Sequence, residues 1–313
     1  MDNTPPHPAL AIDVGGTKVE AALVDSLGVV IAETRHRAPT GAGATSAELA
    51  AAVTTVVTRT LADLPATSEL RGVGIGCAGP ISLPDGAVSP LNLAVWRDFG
   101  LRSLVQDLVP ETTVRLRMDG LCITLAEHWV GAGRGFDNVM GMVVSTGVGG
   151  GLILGGTTVS GPTGNAGHVG HIEVGGFDDP CVCGGTGCLE AIASGPKTVA
   201  WARKQGWTGE TGEHLSEAYA AGDAIAMRAV QRSGRALGQA IAAATTLLDL
   251  DLVAIGGGFS LVTPDLLRFA REAIALRTQL PYATRVQVVP TALSGDGPLI
   301  GAAALIHRAA LVP

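Results

Sequence analysis

Two hairpins of the same layout, each with a glycine-rich turn, are the strongest constraint on the fold of this chain. In residues 9–24, one apolar run leads into Gly15–Lys18 and a second apolar run follows. Residues 139–154 repeat that order, with Ser145–Gly151 as the turn. Repetition of one supersecondary unit indicates an architecture built from related parts. The sequence therefore predicts a two-domain α/β protein whose two related halves face a shared cleft.

The first glycine turn is suited to holding phosphate. Glycine allows the backbone to turn tightly and to approach a phosphate with no Cβ in the way, and successive N–H groups in such a turn form a nest for anions. Asp13, near the end of the preceding run, could orient Mg²⁺ or its water. The turn lacks the glycine spacing and following helix of a Rossmann motif, and it lacks the spacing of a P-loop. A plain hairpin remains the alternative, because Gly-Gly is common in such turns.

Two further glycine runs complete a predicted nucleotide site. Ser145–Gly151 contains four glycines and two hydroxyl side chains, which is more than a hairpin needs, and Thr146 is predicted to contact the β- or γ-phosphate. Gly256–Gly258 follows an apolar run, so that an adenine ring could lie against the backbone there, although a simple strand-to-helix turn fits equally well. The predicted nucleotide-binding residues are Asp13, Gly15, Gly16, Thr17, Lys18, Thr146, Gly147, Gly149, Gly150, Gly256, Gly257 and Gly258.

Asp119 is the candidate general base. It stands between an apolar segment at residues 114–116 and a predicted helix that begins near Leu121. A sugar hydroxyl needs a carboxylate or histidine beside its oxygen to take the proton, and the rest of phosphoryl transfer depends mainly on positioning and charge neutralisation. Aspartate is also a common helix N-cap, and from the residues alone both roles are equally compatible with Asp119.

A cysteine and histidine cluster indicates a metal site. Cys181, Cys183 and Cys188 have the spacing C-x-C-x4-C, and His171 lies ten residues upstream of the first of them. Three thiolates and one imidazole make a closed tetrahedral set, which is the pattern of structural zinc and leaves no open position for catalysis. We therefore expect zinc to pin the loop-rich segment 160–195. Three incidental cysteines are the alternative.

Apolar periodicity predicts the remaining elements. We expect a strand at residues 29–32, a helix at residues 46–62 and a terminal helix at residues 298–310. A long helix over residues 224–248 is expected to bury one face, formed by Met227, Val230, Leu237, Ile241 and Leu248. The lone Cys77 and Cys122 are predicted to be core residues. We place a smaller domain at residues 1–119, to which residues 299–313 return, and a larger domain at residues 120–298.

Charge and hydropathy exclude several classes of partner. The formal net charge is −7 and no Lys/Arg cluster occurs in the sequence, whereas a nucleic-acid groove requires a basic stripe. The most apolar stretch, residues 239–256, is interrupted by Asp249 and Asp251 and does not resemble a membrane span. Met1–Pro8 lacks the basic and apolar regions of a signal peptide. We expect a cytoplasmic protein without nucleic-acid or membrane partners.

These motifs together resemble the ROK family of sugar kinases and repressors, which has the actin-like ATPase (ribonuclease H-like) fold. The most specific segments are Gly167–His171 and Cys181–Glu190, and the resemblance runs nearly end to end. It implies that Asp119 is the catalytic base, that both hairpin turns bind the phosphates of Mg·ATP, and that the cysteine and histidine cluster binds zinc. It also implies a homodimer and a sugar site, whose candidate residues are Gly79, Asn92, Asp119, His168, His171 and Glu190.

Two departures from the family pattern bear on the sugar. The family usually has Asn before the catalytic aspartate and a second Asn two residues after it, where this chain has Met118 and Leu121. Glucokinases of the family carry Glu at the position of His168, whereas Gly167–His171 is similar to bacterial N-acetylmannosamine kinases. We therefore expect transfer of the γ-phosphoryl group of ATP to the 6-hydroxyl of a hexose, with an N-acylated hexosamine preferred to glucose. The alternatives are a glucokinase and a non-catalytic sugar-binding or regulatory protein; a repressor would need an N-terminal helix-turn-helix domain, for which a hairpin beginning by Ala9 leaves no room.

Overall fold

The chain passes more than once between two structural units. The structure, a computed structural model, describes residues 7–41 and 43–313. Unit 1 comprises the described residues up to Arg134 together with Thr157–Gly167 and Leu293–Pro313, and unit 2 comprises Gly135–Gly156 and His168–Ala292. The first segment of unit 1 therefore extends to Arg134, beyond the domain boundary expected at residue 119. The cause is a helix–helix contact within unit 1, so close that a Cβ at Gly301 would overlap the backbone of Cys122.

Twelve strands and ten α-helices are formed by the described residues. The strands are β1 (Ala9–Val14), β2 (Lys18–Val24), β3 (His36–Pro39), β4 (Gly72–Cys77), β5 (Ile81–Ser82), β6 (Ala87–Val88), β7 (Val114–Met118), β8 (Val139–Val144), β9 (Val148–Leu154), β10 (Thr157–Thr158), β11 (Leu252–Gly256) and β12 (Gln287–Pro290). The helices are α1 (Ser46–Ala62), α2 (Leu101–Leu108), α3 (Asp119–Val130), α4 (Leu189–Ala193), α5 (Gly195–Lys204), α6 (Gly212–Ala220), α7 (Ala224–Leu248), α8 (Asp265–Arg277), α9 (Pro281–Thr284) and α10 (Gly297–His307).

Unit 1 is built on a five-stranded sheet in the order β3-β2-β1-β4-β7. β1 pairs antiparallel with β2 and parallel with β4, and β4 pairs parallel with β7. The side chains of β1 alternate between the two faces, as the period of a strand requires: Leu10 and Ile12 pack with α1, while Ala9 and Ala11 pack with α10. The small residues let α10 lie close to the sheet, and at Gly74 of β4 even a Cβ would overlap a carbonyl of that helix.

Unit 2 repeats part of this arrangement. β8 pairs antiparallel with β9 and parallel with β11, and β11 pairs parallel with β12. The buried face of α7, which includes Val230, Leu237 and Ile241, forms one hydrophobic core with Val253 and Ile255 of β11. Each unit thus contains an antiparallel hairpin, as the sequence predicts. The first strand of each hairpin also pairs with a parallel strand on its other side.

Most predicted elements are present, and the exceptions have local causes. α1 and α7 have the predicted bounds, and the terminal helix is α10. Residues 29–32 do not form a strand, since only Val30 makes a bridge, to Val24, before a short 3-10 turn. Met227, expected on the buried face of α7, is 45% exposed, because Ala226 occupies that face and each residue step turns a helix by about 100°. None of the helices in the described part of the chain is long and apolar enough to cross a membrane.

Candidate active site

Two carboxylates lie at one edge of the unit 1 sheet. The parallel strands β1, β4 and β7 end at the same edge, where Asp13 on β1 is in register with Gly76 on β4 and Asp119 directly follows β7. The space at Gly76 is tight, because a Cβ there would lie 3.3 Å from Sγ of Cys122 and 3.8 Å from the Cα of Asp119. Cys122 and Cys77 are buried, as predicted for core residues. The carboxyl ends of parallel strands are where ligands bind in open α/β sheets, so the two predicted acidic residues lie at a ligand-binding edge.

Burial shifts the pKa of both carboxyl groups. Burial, with repulsion from Asp119 and Glu20, raises the pKa of Asp13 to about 7, and attraction from Lys18 and Arg35 opposes the rise. Burial also raises the pKa of Asp119. Perturbed carboxyl groups gathered in one place are typical of catalytic and metal-binding sites. A divalent cation at this edge would favour the ionised form of both groups.

The first glycine turn joins β1 to β2 and contacts a predicted sugar-binding residue. Within the turn the N–H of Gly15 donates to the carbonyl of Lys18 at 2.9 Å, and Oγ1 of Thr40 donates to the carbonyl of Gly15 at 2.8 Å. The Gly15 amide, expected to hold phosphate, is therefore engaged inside the turn. A Cβ at Gly16 would lie 2.6 Å from the side-chain nitrogen of Asn92. Asn92 thus lies directly against the predicted phosphate turn.

Asp119 is the first residue of α3, and the N-cap position belongs to Met118, which makes no side-chain capping bond. Oδ1 of Asp119 accepts a hydrogen bond of 2.7 Å from the N–H of Gly120. One carboxylate oxygen is therefore held by the helix start, where negative charge is favoured. Met118, which stands where the family usually has Asn, is 2% exposed and packs in the core of unit 1. Its side chain is part of the fold and offers no surface to a ligand.

The loop after β4 carries Gly79 and is tied down by hydrogen bonds. The carbonyl of Gly79 accepts a bond of 3.3 Å from the N–H of Leu91. Asn165 accepts from the N–H of Ile81 at 2.8 Å and donates to the carbonyl of Ile81 at 2.7 Å. Segment 160–195, expected to be one zinc-pinned loop, is therefore divided, because its first part belongs to unit 1 and is held through Asn165. Sequence reasoning missed Asn165, since a lone Asn in a loop has no distinctive pattern.

Unit 2 contains a pocket of about 950 Å³ whose wall includes two of the predicted nucleotide-binding segments. Thr146 of the second glycine turn and Gly258 of the third glycine run line it, together with the first residues of α5 and α6. Gly257, which precedes Gly258, has a φ of +94° that favours glycine, and a Cβ there would lie 2.6 Å from the carbonyl oxygen of Val144. A pocket of this volume accommodates an organic ligand the size of a nucleoside. Sequence reasoning missed the part of the pocket wall formed by α5 and α6, because no sequence motif marks these helix starts.

Glu190, in the first turn of α4, contacts the second glycine turn. Its Oε2 accepts a hydrogen bond of 2.9 Å from the N–H of Val148, and a Cβ at Gly147 would lie 2.5 Å from the same oxygen. His168 is half-buried, and burial and His171 lower its pKa while Glu190 opposes the shift. A neutral imidazole has one donor and one acceptor nitrogen, which suits a hydroxyl. These two predicted sugar residues are thus brought near each other, and Glu190 also supports the turn.

The predicted zinc ligands converge in unit 2. The ligand atoms of His171, Cys181, Cys183 and Cys188 all lie within 4.8 Å of one another. Sγ of Cys181 is 3.6 Å from Nδ1 of His171, and the Sγ atoms of Cys183 and Cys188 are 3.6 Å apart. This fits a tetrahedral zinc ion, since sulfur ligands about 2.3 Å from the metal are about 3.8 Å apart. Burial and the neighbouring thiols raise the pKa of Cys188 to about 12, and a bound divalent cation would favour the thiolate instead.

Sequence reasoning also missed the charged residues around Glu20, which lies on β2 beside the first turn and is 1% exposed. The sequence does contain one signal for Glu20, because this glutamate lies inside an apolar run and a buried carboxylate requires charged partners. Its partner Arg35, and the Asp296 that Arg35 also binds, are distant from it in the chain. No local pattern connects them, so the sequence could have singled out Glu20 but not its network.

Known proteins resemble this chain along nearly its whole length. N-acetylmannosamine kinase of Yersinia pseudotuberculosis serotype O:3 (strain YPIII) is 34% identical over 313 residues, which cover 96% of this chain and 99% of that protein. The ROK hexokinase from Thermus thermophilus has a TM-score of 0.84 at 28% identity, with 97% of this chain and 99% of that chain covered. A ROK family glucokinase from Streptomyces griseus, solved in complex with glucose and AMPPNP, has a TM-score of 0.82 at 28% identity, with 96% and 99% covered. A sequence model of the ROK family matches residues 9–309, so the predicted fold class and family are confirmed, and the chain belongs to the ROK family.

Proposed function

We propose that this protein is an ATP-dependent sugar kinase that transfers the γ-phosphoryl group to the 6-hydroxyl of a hexose, with N-acetylmannosamine or a similar N-acylated hexosamine preferred. The observation that carries the proposal is the pair of desolvated carboxyl groups, Asp13 and Asp119, at the sheet edge beside the first glycine turn. Relatives support it: the Yersinia protein bears the name N-acetylmannosamine kinase, and the Streptomyces glucokinase was solved with a sugar and a nucleotide analogue.

Asp119 acts as the general base in this mechanism. The N–H of Gly120 holds one carboxylate oxygen, which leaves the other to accept the proton of the sugar 6-hydroxyl. As that proton moves, the sugar oxygen forms a bond to the γ-phosphorus. The bond from the γ-phosphorus to the β,γ-bridging oxygen breaks, and its electron pair leaves with ADP. The proton on Asp119 then passes to water and the base is restored.

The nucleotide contacts are assigned to the three glycine segments. Backbone N–H groups of Gly16–Lys18 in the first turn, and of Thr146, Gly147, Gly149 and Gly150 in the second, are proposed to hold the phosphates, because turn amides attract anions. The N–H of Val148 is already bonded to Glu190. The pocket beside Gly256–Gly258 is proposed to receive the base and ribose. Asp13 would hold Mg²⁺ directly or through water, and Mg²⁺ supplies neutralisation of the phosphate charge.

Zinc has a structural role in this proposal. His171, Cys181, Cys183 and Cys188 would hold it, and four protein ligands leave no position for a substrate. The last ligand is two residues from Glu190, which supports the second glycine turn. Zinc would therefore fix the segment on which both Glu190 and His168 depend.

The preferred sugar is inferred from His168. An imidazole that burial keeps neutral can both donate and accept, whereas an ionised glutamate at the same position only accepts. An N-acyl group offers an amide N–H and a carbonyl, both of which such a side chain can meet, and the similarity to an N-acetylmannosamine kinase supports this sugar over glucose. By analogy with its family we also propose a homodimer that acts in the cytoplasm. The net charge of −7 supports the absence of a nucleic-acid partner.

The test is an ADP-release assay over N-acetylmannosamine, N-acetylglucosamine, mannose and glucose, with ³¹P NMR of the product to locate the phosphate. We expect the highest kcat/KM with N-acetylmannosamine and a 6-phosphate product. Highest activity with glucose would contradict the sugar preference alone. No ADP release with any sugar, by protein that contains zinc and Mg²⁺, would contradict the kinase proposal itself.

A further inference from the structure

A row of charged side chains crosses the unit 1 sheet beside the first glycine turn. Asp13 on β1 is in register with Glu20 on β2, and Glu20 is in register with Arg37 on β3. Residues directly opposite each other in antiparallel strands share one face. Lys18, two residues before Glu20 on β2, projects from that face as well. Carboxylates and cations are therefore gathered next to the turn.

Glu20 is the centre of this group. Its side chain is 2% exposed and pairs with Lys18 and with Arg37. Nε of Arg35 lies 2.9 Å from Oε1 of Glu20, and Nη1 of Arg35 lies 2.7 Å from Oδ1 of Asp296, next to the start of α10. Burial would raise the pKa of Glu20, but the bonds from Lys18 and Arg35 outweigh burial and lower it. The carboxylate is thus ionised and shared among three cations.

The fold alone does not explain a carboxylate at this position. Farther from the turn, the same face of the hairpin carries Ala9, Ala11, Ala22 and Val24, which pack with α10. Replacing a buried ion pair with apolar side chains of similar volume is often neutral or stabilising. An apolar residue in place of Glu20 would continue the α10 contact. On this face of the hairpin, charged residues take the place of apolar ones only at the end that carries the glycine turn.

We propose that Glu20 is a positioning residue for nucleotide binding, whose buried carboxylate, anchored by Arg35, holds the ammonium group of Lys18 beside the glycine turn to meet the triphosphate. The Lys18 side chain is 46% exposed although it is bonded to Glu20. An ammonium group has three N–H donors, so two are left for a ligand. A lysine held in advance loses less rotamer freedom on binding. This inference rests on the proposed function, because it concerns the same nucleotide.

The test separates position from charge. Glu20→Gln keeps the shape of the side chain and removes its charge. We expect the KM for Mg·ATP to rise about tenfold, with kcat within about twofold and the KM for the sugar unchanged, because uniform binding of one substrate is lost. If only the charge beside the turn mattered, removing a negative charge would lower the KM for Mg·ATP. A lower or unchanged KM overturns the proposal.

Two further variants provide a test that does not depend on the folding of Glu20→Gln and a matched control. Glu20→Asp keeps the negative charge that pairs with the three cations but withdraws the carboxylate from Lys18. It is therefore expected to fold and to raise the KM for Mg·ATP as well. An unchanged KM overturns the proposal even if Glu20→Gln does not fold. Glu33→Gln, at an exposed glutamate between β2 and β3, is the matched control and should change nothing.

A double-mutant cycle then tests whether Glu20 acts through Lys18. In a Lys18→Met background, Glu20→Gln should add no further rise in KM, whereas additive effects would overturn the proposal. Calorimetric titration with Mg·AMPPNP, an analogue that retains three phosphates, keeps this inference distinct from the proposed function. If the unaltered protein does not bind Mg·AMPPNP, both are overturned. If it binds and Glu20→Gln binds equally well, this inference alone is overturned.

Discussion

The β1–β2 turn of unit 1 and the β8–β9 turn of unit 2 connect strands of the same kind, but the groups around them differ. The first turn is surrounded by charge, with Asp13, Lys18 and Glu20 on one face of its hairpin. The second turn carries hydroxyl side chains, and its backbone is supported by a hydrogen bond to Glu190. In the proposed mechanism the two units therefore have different roles: unit 1 handles charge and proton transfer, and unit 2 provides shape for recognition.

The largest expected effect is on the catalytic step in unit 1. Asp119→Asn keeps the hydrogen bond from Gly120 but cannot accept a proton, so kcat should fall by about 10²–10⁴-fold. The KM values and the zinc content should remain close to those of the unaltered protein. Steady-state kinetics and metal analysis check this, with Asp107→Asn, at an exposed aspartate of α2, as the control. Retention of kcat would end the assignment of proton transfer to unit 1.

The next effect concerns the proposed zinc site of unit 2. Cys183→Ser removes one ligand, and we expect zinc to be lost and kcat/KM to fall by about 10²-fold, since Glu190 and the second turn lose their support. Metal analysis and turnover measure it. Val182→Ala is the matched control, because Val182 lies between two ligands and is 69% exposed. Full activity of zinc-free Cys183→Ser would show that unit 2 does not need the metal for its shape.

Asp13 should give unit 1 a pH-dependent stability. Its pKa is about 7 in the folded protein and 3.8 in an ordinary aspartate, so the folded state retains a proton that the unfolded chain releases. The stabilisation is therefore fully present below about pH 4, falls as the pH rises, and is lost above about pH 7. Asp13→Asn cannot ionise, and at pH 8 without Mg²⁺ it should have a higher free energy of unfolding by on the order of 2 kcal/mol.

Urea unfolding at pH 5 and pH 8 measures this difference, with Asp107→Asn again as the control. The gap between Asp13→Asn and the unaltered protein should widen from pH 5 to pH 8. The same gap at both values would contradict the burial of an ionisable pair at the edge of unit 1.

The smallest effect compares one glycine from each turn. An alanine Cβ at Gly16 would meet the Asn92 amide at 2.6 Å, and at Gly147 it would meet the Glu190 carboxylate at 2.5 Å. Both neighbours are tips of side chains that can shift, so we expect KM for Mg·ATP and for the sugar to rise together by about tenfold in each variant. Gly135→Ala is the control for replacing a glycine, because no atom lies within 4 Å of the added Cβ. Its φ of +83° favours glycine, so we expect a small loss of stability but no change in KM. A change in only one KM would show that the turn and the sugar residue are independent.

The features that the sequence predicts well are determined by residues close to one another in the chain. The bounds of α1 and α7 follow from apolar periodicity, and the four predicted zinc ligands, which converge in the structure, lie close together in the chain. The apolar residues 29–32 form no strand, because β2 takes its partner from residues 36–39 instead. A short apolar run does not indicate which strand it will pair with.

What the sequence could not predict depends on contacts between distant segments. The position of α3 in unit 1 follows from its packing on α10, and the environment of Glu20 requires Arg35 and Asp296. The burial of Met118 also depends on the finished core. The sequence leaves Asp119 compatible with both a base and an N-cap, and only the structure shows that it is the first residue of α3, with one oxygen bonded to Gly120, and that the N-cap is Met118.

The return of α10 to unit 1 has a consequence for biosynthesis. The β1–β2 hairpin precedes all of unit 2 in the chain, whereas the helix that covers its alanine-lined face follows all of unit 2. Unit 2 is complete at Ala292, before that helix emerges. The usual order, in which the N-terminal domain folds first during synthesis, is therefore reversed. A nascent chain of this protein therefore keeps that face of the sheet uncovered until all of unit 2 has been translated.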